Sequence, residues 1–270
     1  MTASMSTSVR SAARSQPMAR LAKAGLTARA AVYLLIGALA IALAFGNYLN
    51  EPNQQGALQV LTKHTGGVVL VWLIAIGLFG YAVWRFSEAA FGVVGEGRKV
   101  GPRLQSFARG LIYLFFAITA VRVAIGANAG SQAQRQELWT AKAMQHAGGR
   151  WIVGLVGVVI VVCGVVLVIQ GLTRKFEKYL ELERMSPTQR RLVEWLGIAG
   201  TAARGVVFAL AGVFVIVAAV TANPSKAGGL DQAFRELLTM SGGPVLVFLT
   251  GLGLLIFAAY GFAEAKWHRT

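Results

Sequence analysis

The chain has 270 residues, of which 56% are hydrophobic and only 14% charged, and its formal net charge is +15. Water-soluble domains carry charge on about a quarter of their residues, so this composition argues against a soluble protein. The basic excess fits anionic lipid headgroups better than nucleic acid, for which no binding module is evident.

Residues 1–27 form a basic segment containing Arg10, Arg14, Arg20 and Lys23 and no acidic residue. Followed by the apolar stretch 28–45 and "ALAFG", this start resembles a secretory signal with a cleavage site after Ala44. The same arginine-led pattern recurs twice inside the chain, so an uncleaved first helix is the better reading. Five more apolar stretches follow, at 68–90, 108–125, 151–172, 203–220 and 245–262. Each has the roughly 17–25 residues that span a bilayer core as a helix, and a spanning segment must satisfy its backbone internally. The expected fold is an all-α integral membrane protein with six transmembrane helices.

Three segments, "TARAAVY", "FARGLIY" and "AARGVVF", open the first, third and fifth stretches with Arg29, Arg109 and Arg204. A glycine pair stands 37, 39 and 38 residues later, at Gly66–Gly67, Gly148–Gly149 and Gly242–Gly243, and Glu88, Gln170 and Glu264 stand 22 residues past the first glycine of each pair. The chain therefore reads as three copies of one helical hairpin. Hairpin repeats occupy 28–92, 108–172 and 203–270, joined by cytoplasmic linkers 93–107 and 173–202, the second amphipathic. Three parallel copies suggest a threefold arrangement, with a less regular bundle as the alternative. In "GALQVLTKHTGG" and "LDQAFRELLTMSGG", Leu58 aligns with Phe234 and Leu61 with Leu237. Their spacing predicts short amphipathic helices in the outer interface, stopped by the glycine pairs. The middle connection, "RQELWTAKAMQHAGGR", is more polar. In the second linker, Phe176, Tyr179 and Leu180 and the capping signature Ser186-Pro187-x-Gln189 predict two surface helices.

With the N-terminus inside, nineteen of the 26 lysines and arginines, Arg85, Arg98, Lys175 and Lys178 among them, fall on the cytoplasmic side and seven on the other. This bias places both termini in the cytoplasm.

The triple A-R-[AG]-x-x-[YF] opening, the glycine pair before each return helix and the ending "GLFGYAVWRFSEA" resemble the bacterial domain-of-unknown-function 1206 family. The resemblance covers about residues 25–267. It implies repeated pairs of transmembrane helices in a bacterial inner membrane, and carries over no catalytic or ligand-binding residue. Gln170 departs from the pattern where the other two repeats have glutamate.

Twenty-two residues of helix rise about 33 Å, so Glu88, Gln170 and Glu264 return to the depth at which Arg29, Arg109 and Arg204 enter. The expected structural pairs are Arg29–Glu88, Arg109–Gln170 and Arg204–Glu264, or the same set exchanged between adjacent hairpins, because charges within a membrane usually find partners. Snorkelling to lipid phosphates is the plainer alternative. Arg122 has no counterpart in the other repeats and is a candidate contact for a ligand or partner, against snorkelling to the outer headgroups. His64, His146 and Met240 share one aligned position and could clasp copper, but no second ligand set supports them, and no metal or cofactor is assigned. Cys163, the only cysteine, reads as a small buried hydrophobe. Gly157, Gly164 and Gly171 form a stripe for close helix packing. No nucleophile–base pair is evident, so no enzyme is expected. A closed bundle acting as a scaffold or accessory subunit, bound to lipid, a membrane-protein partner or a second copy, is the leading expectation. A solute or ion transporter or channel along a pseudo-threefold axis is the alternative.

Overall fold

The structure, a computed structural model, describes residues 16–47, 50–93, 99–127 and 131–269, so Arg10, Arg14 and Arg98 lie outside the described residues. The protein is an all-α membrane protein. Its six long apolar helices are α1 (Gln16–Ala44), α3 (Gly67–Phe91), α4 (Val100–Ala124), α6 (Gly149–Leu172), α7 (Pro187–Thr221) and α9 (Gly243–Trp267). Three short helices, α2 (Gln54–Thr62), α5 (Gln132–Met144) and α8 (Gly229–Leu238), lie in the connections within the hairpins. We call the two ends of the bundle the glycine-pair face and the linker face.

The outgoing helices α1, α4 and α7 begin about two to four turns before their apolar stretches. Those extra turns pack against neighbours: Ala22, Leu26, Ser106 and Val193 are all buried. The second linker accordingly differs from expectation. Only two 3-10 segments, Lys175–Tyr179 and Leu182–Arg184, precede α7, and the expected second surface helix is the first part of α7 itself. Its start is set by a complete capping box, in which Ser186 Oγ accepts from the Gln189 amide (3.3 Å) and Gln189 Oε1 from the Ser186 amide (3.1 Å).

At the glycine-pair face, the expected short helices α2 and α8 turn their apolar faces inward. Leu58, Phe234 and Leu237 are buried in the core, whereas α5 buries none of its residues. The glycine pairs have two different causes. Gly66, Gly148 and Gly242 adopt left-handed φ values of 76°, 80° and 74°. In the second position, a Cβ on Gly67 or Gly149 would stand 1.7 Å from the carbonyl oxygen of Leu61 or Ala143.

The bundle closes as a ring. Each return helix packs most extensively on the outgoing helix of the next repeat: α3 on α4, α6 on α7, and α9 back on α1. Within hairpins, α1 meets α3 and α7 meets α9, but α4 and α6 barely touch. The cause is local. Four residues before Arg29 and Arg204 stand Gly25 and Gly200, where a Cβ would meet Tyr81 at 2.2 Å and Phe257 at 2.6 Å. These are contacts with the Tyr81 side chain and the Phe257 backbone; the second repeat has Gln105 and Cys163 at the matching positions, so the same close approach cannot form. Cys163 is exposed, not buried as its sequence context suggested, because α6 turns its glycine stripe to α7 and its valine-rich flank outward.

A Cβ at Gly164 would lie 2.5 Å from the Ala209 backbone nitrogen, and one at Gly205 would lie 2.6 Å from the Gly164 oxygen. Backbone atoms cannot rotate away, so Gly164→Val is expected to lower stability in detergent by about 1–3 kcal/mol. Gly101→Ala meets no described residue within 4 Å and serves as a neutral control in the same thermal-unfolding measurement. Equal melting temperatures for the two variants would contradict this packing.

Candidate functional site

The ring encloses a cavity of about 300 Å³ to which all six spanning helices contribute side chains. The bundle is therefore not closed-packed along its middle, as the sequence had suggested. Six basic side chains, Arg29, Arg85, Arg109, Arg204, Lys175 and Lys178, line it against the single lining carboxylate of Glu264. Tyr33, Tyr81, Tyr113, Tyr179 and Tyr260 supply phenol groups, and Gln54, Gln105, Gln132 and Gln170 supply amides.

Arg29, Arg109 and Arg204 lie about 22–26 Å of helix rise from the glycine-pair ends of α1, α4 and α7, within the apolar thickness. Their surroundings differ. Arg29 Nη2 donates to Glu264 Oε2 at 2.6 Å, and both residues are buried. This pair joins repeat 1 to repeat 3 and follows from the ring packing of α9 on α1. The within-hairpin pairs Arg29–Glu88 and Arg204–Glu264 are not formed. Glu88 instead accepts from Arg85 Nη1 (2.7 Å) and from Ser106 Oγ of the next repeat (3.1 Å). Arg85 also donates to the Tyr81 hydroxyl (2.5 Å), and its guanidinium lies 4.3 Å from the Trp84 ring centroid.

Arg204 donates through Nε to the Tyr33 hydroxyl (3.0 Å) and lies over the rings of Tyr33, Phe208 and Phe257. Arg109 makes no hydrogen bond or ion pair with any described residue, and Gln170 lines the cavity without reaching it. Neither Arg109 nor Arg204 has a carboxylate partner among the described residues. Arg85 and Arg204 are close enough for their charges to repel that of Arg109. The Arg29 and Arg204 guanidiniums stand 5.4 and 4.9 Å from the same Phe257 centroid, so they are at most about 10 Å apart. Two bare like charges at that spacing would repel by about 2 kcal/mol at an effective dielectric of ~20, and Glu264 beside Arg29 reduces this. The Nε groups of Arg29 and Arg85 are buried and have no acceptor.

Sequence reasoning missed several of these residues. Arg85 occurs in one repeat only and reads from its position as one more cytoplasmic-side charge, although Tyr81, Arg85 and Glu88 share one helix face at i, i+4 and i+7. The aromatic four residues after each repeated arginine (Tyr33, Tyr113, Phe208) sits one turn deeper on the same face, and all three line the cavity. Arg122 lies elsewhere, exposed in the last turn of α4, where the helix dipole favours a cation. His64, His146 and Met240 are exposed.

At the linker face, Phe176, Tyr179 and His268 form part of the cavity wall. They are held by an antiparallel bridge between Leu180 and His268, with Glu181 N donating to Trp267 O (2.9 Å) and Arg269 N to Tyr179 O (2.8 Å). At the other end Gln54 of α2 and Leu230 of α8 line the cavity. His268 packs edge-on against Trp84 (5.3 Å) and lies 4.0 Å from Glu264. Burial is the main force pulling its pKa from 6.5 down to about 4; Arg85, Arg29 and Lys23 add to this, and Glu264 opposes it.

Two predictions follow from this geometry. Removing one member of a buried ion pair strands the other, at a cost of about 3–5 kcal/mol. Glu264→Arg should therefore unfold at markedly lower temperature, and adding Arg29→Glu should recover part of the loss; a double variant no better than either single one would contradict the pair. His268 is neutral in the folded protein, so its contribution to stability is full above pH 6.5 and is lost as pH falls from 6.5 toward about 4. The melting temperature should fall across that window, and fall less in His268→Asn. Identical slopes in the two proteins would show that His268 does not carry the effect.

Comparison with known proteins agrees with the repeat architecture. The chain is 30% identical over 248 residues to the uncharacterized protein YxxB of Bacillus subtilis (strain 168), covering 91% of this chain and 89% of that one. No solved structure matches. The pattern of the family described as Domain of Unknown Function (DUF1206) matches three times, at residues 24–92, 104–174 and 199–268. Each match spans one outgoing helix, one connection and one return helix, and the chain belongs to this family.

Proposed function

We propose that this membrane protein is a non-catalytic binding protein whose central cavity holds an anion. The observation that carries the reading is the pair Arg109 and Arg204: two guanidiniums within the apolar thickness, facing one cavity, without a carboxylate partner among the described residues. Like charges gathered in a low-dielectric site destabilise the empty protein, and a bound phosphate or carboxylate would convert that repulsion into charge-assisted hydrogen bonds. Tyrosine hydroxyls and glutamine amides beside them suit the remaining oxygens of such a ligand. The lining carboxylate is tied to Arg29 and the lining histidine is walled in by aromatic rings, so the described lining offers donors rather than a nucleophile with its base.

The linker face carries most of the basic residues, which supports a multi-pass protein of a bacterial plasma membrane with that face in the cytoplasm. The cavity on the pseudo-threefold axis supports a second reading, a carrier for the same anion, because all three repeats contribute to it. Flux of the anion into liposomes holding the purified chain alone would favour the carrier.

The test exploits a reversal of sign. Without ligand, Arg109→Gln should raise the melting temperature in detergent, since it removes a repelled charge, whereas most changes to buried polar residues lower it. Adding phosphate or sulfate at constant ionic strength should stabilise the parent protein and not Arg109→Gln. Equal responses of the two proteins to the anions would sink the reading.

A further inference from the structure

We infer that the ligand enters sideways: the gap between α4 and α6 admits the anionic headgroup of a membrane phospholipid to Arg109 and Arg204. The inference rests on the anion-binding reading and adds the class of ligand and its route. Phe176, Tyr179 and His268 wall the cavity at the linker face, and Gln54 of α2 and Leu230 of α8 line it at the glycine-pair face. The side is different. Helices α4 and α6 barely touch, although each is firmly packed on its other neighbour, α3 or α7. Among the cavity-lining residues, the exposed ones are Gln105 and Ile112 on α4 and Lys175 and Lys178 just beyond α6. The opening thus faces the bilayer on one flank, with two lysines at its linker-face edge.

That arrangement matches an anionic lipid from the leaflet at the linker face. The phosphate would pass the lysines and meet Arg109, the first cavity arginine behind the gap on α4. The acyl chains would stay outside along the exposed apolar flank of α4, where Leu111, Ile112 and Phe115 are each half or more exposed. A cavity of about 300 Å³ lies at the small end of ligand pockets and accommodates a headgroup rather than a whole lipid.

The test uses the full chain, purified and delipidated in a neutral detergent, with thermal unfolding and ligand titration as readouts. The probes are phosphatidylglycerol, phosphatidylcholine of the same chain length, and soluble glycerol 3-phosphate. Phosphatidylglycerol should stabilise the protein far more than phosphatidylcholine. Arg109→Gln should weaken the phosphatidylglycerol response about tenfold, the effect of losing one charged hydrogen bond. Two gap variants, Ile112→Trp and Ile112→Phe, should weaken it while leaving the glycerol 3-phosphate response unchanged, which also shows that they fold. If glycerol 3-phosphate binds but phosphatidylglycerol acts no better than phosphatidylcholine, or the gap variants bind it normally, the lateral route is overturned and the anion reading stands. If no probe binds, the anion reading falls as well. If the gap variants change the oligomeric state on gel filtration, the gap is an interface with a second copy and the lipid inference is overturned.

Discussion

Helices in a bilayer gain little hydrophobic energy from one another, since lipid tails are as apolar as their side chains, so close backbone approach decides which helices pair. Here that approach is made at glycines. A Cβ on Gly37 would stand 2.9 Å from the Gly251 carbonyl oxygen, joining α1 to α9, and Gly164 faces Gly205 in the same way between α6 and α7. At the third seam a Cβ on Gly110 of α4 would meet the Phe86 ring of α3 at 2.7 Å, so each return helix is linked to the next outgoing helix in a ring of three hairpins. Ring closure points Arg29, Arg109 and Arg204 at a common interior. An arginine on a lone helix would snorkel to phosphate; three of them fixed inside a ring need anions there instead.

The protein itself meets that need only in part. Glu264 neutralises Arg29 across the ring closure, and Glu88 neutralises Arg85, an arginine without counterpart in the other repeats. Two acids are thereby used, and the third equivalent position carries the uncharged Gln170. Arg109 and Arg204 are left with phenols, aromatic faces and each other. Cation–π contact of the kind Arg204 makes with Tyr33, Phe208 and Phe257 contributes roughly 0.5–2 kcal/mol each, enough to orient a guanidinium but not to replace a counter-ion.

The six spans, the repeat and its period were legible in the sequence because each rests on a long signal: hydropathy over about 20 residues, and a motif printed three times. The short helices were legible from Leu58 and Phe234, though not their inward turn, which depends on what lies beneath them. The pairing of Arg29 with Glu264 was visible as one of two alternatives, and matched depth alone could not choose between them; ring packing does. The fate of Glu88 was not legible, since its partner Arg85 sits three residues away on its own helix and looks like an ordinary membrane-edge charge. A cavity is the hardest feature to read from a single chain, because it is made of side chains that are distant in sequence and distinguished by what they fail to touch.

The second repeat is where the threefold pattern departs, and its departures act together. Gln105 replaces the glycine that lets the return helix approach closely in the other hairpins, Cys163 stands where they carry Tyr81 and Phe257, and Gln170 replaces the acid. The first two changes remove the contact that would draw α4 to α6, and the third removes the charge that would neutralise an arginine behind the gap. In a fully symmetric ring, three such glycine contacts would seal the wall and three acids would satisfy the repeated arginines, leaving a more stable protein with no unsatisfied charge to offer. Opening the wall at the same repeat that lacks its acid couples access to charge. On the proposed reading, stability is given up at the place where an anionic ligand can restore it, which is the pattern expected of a binding site rather than of a defect in packing.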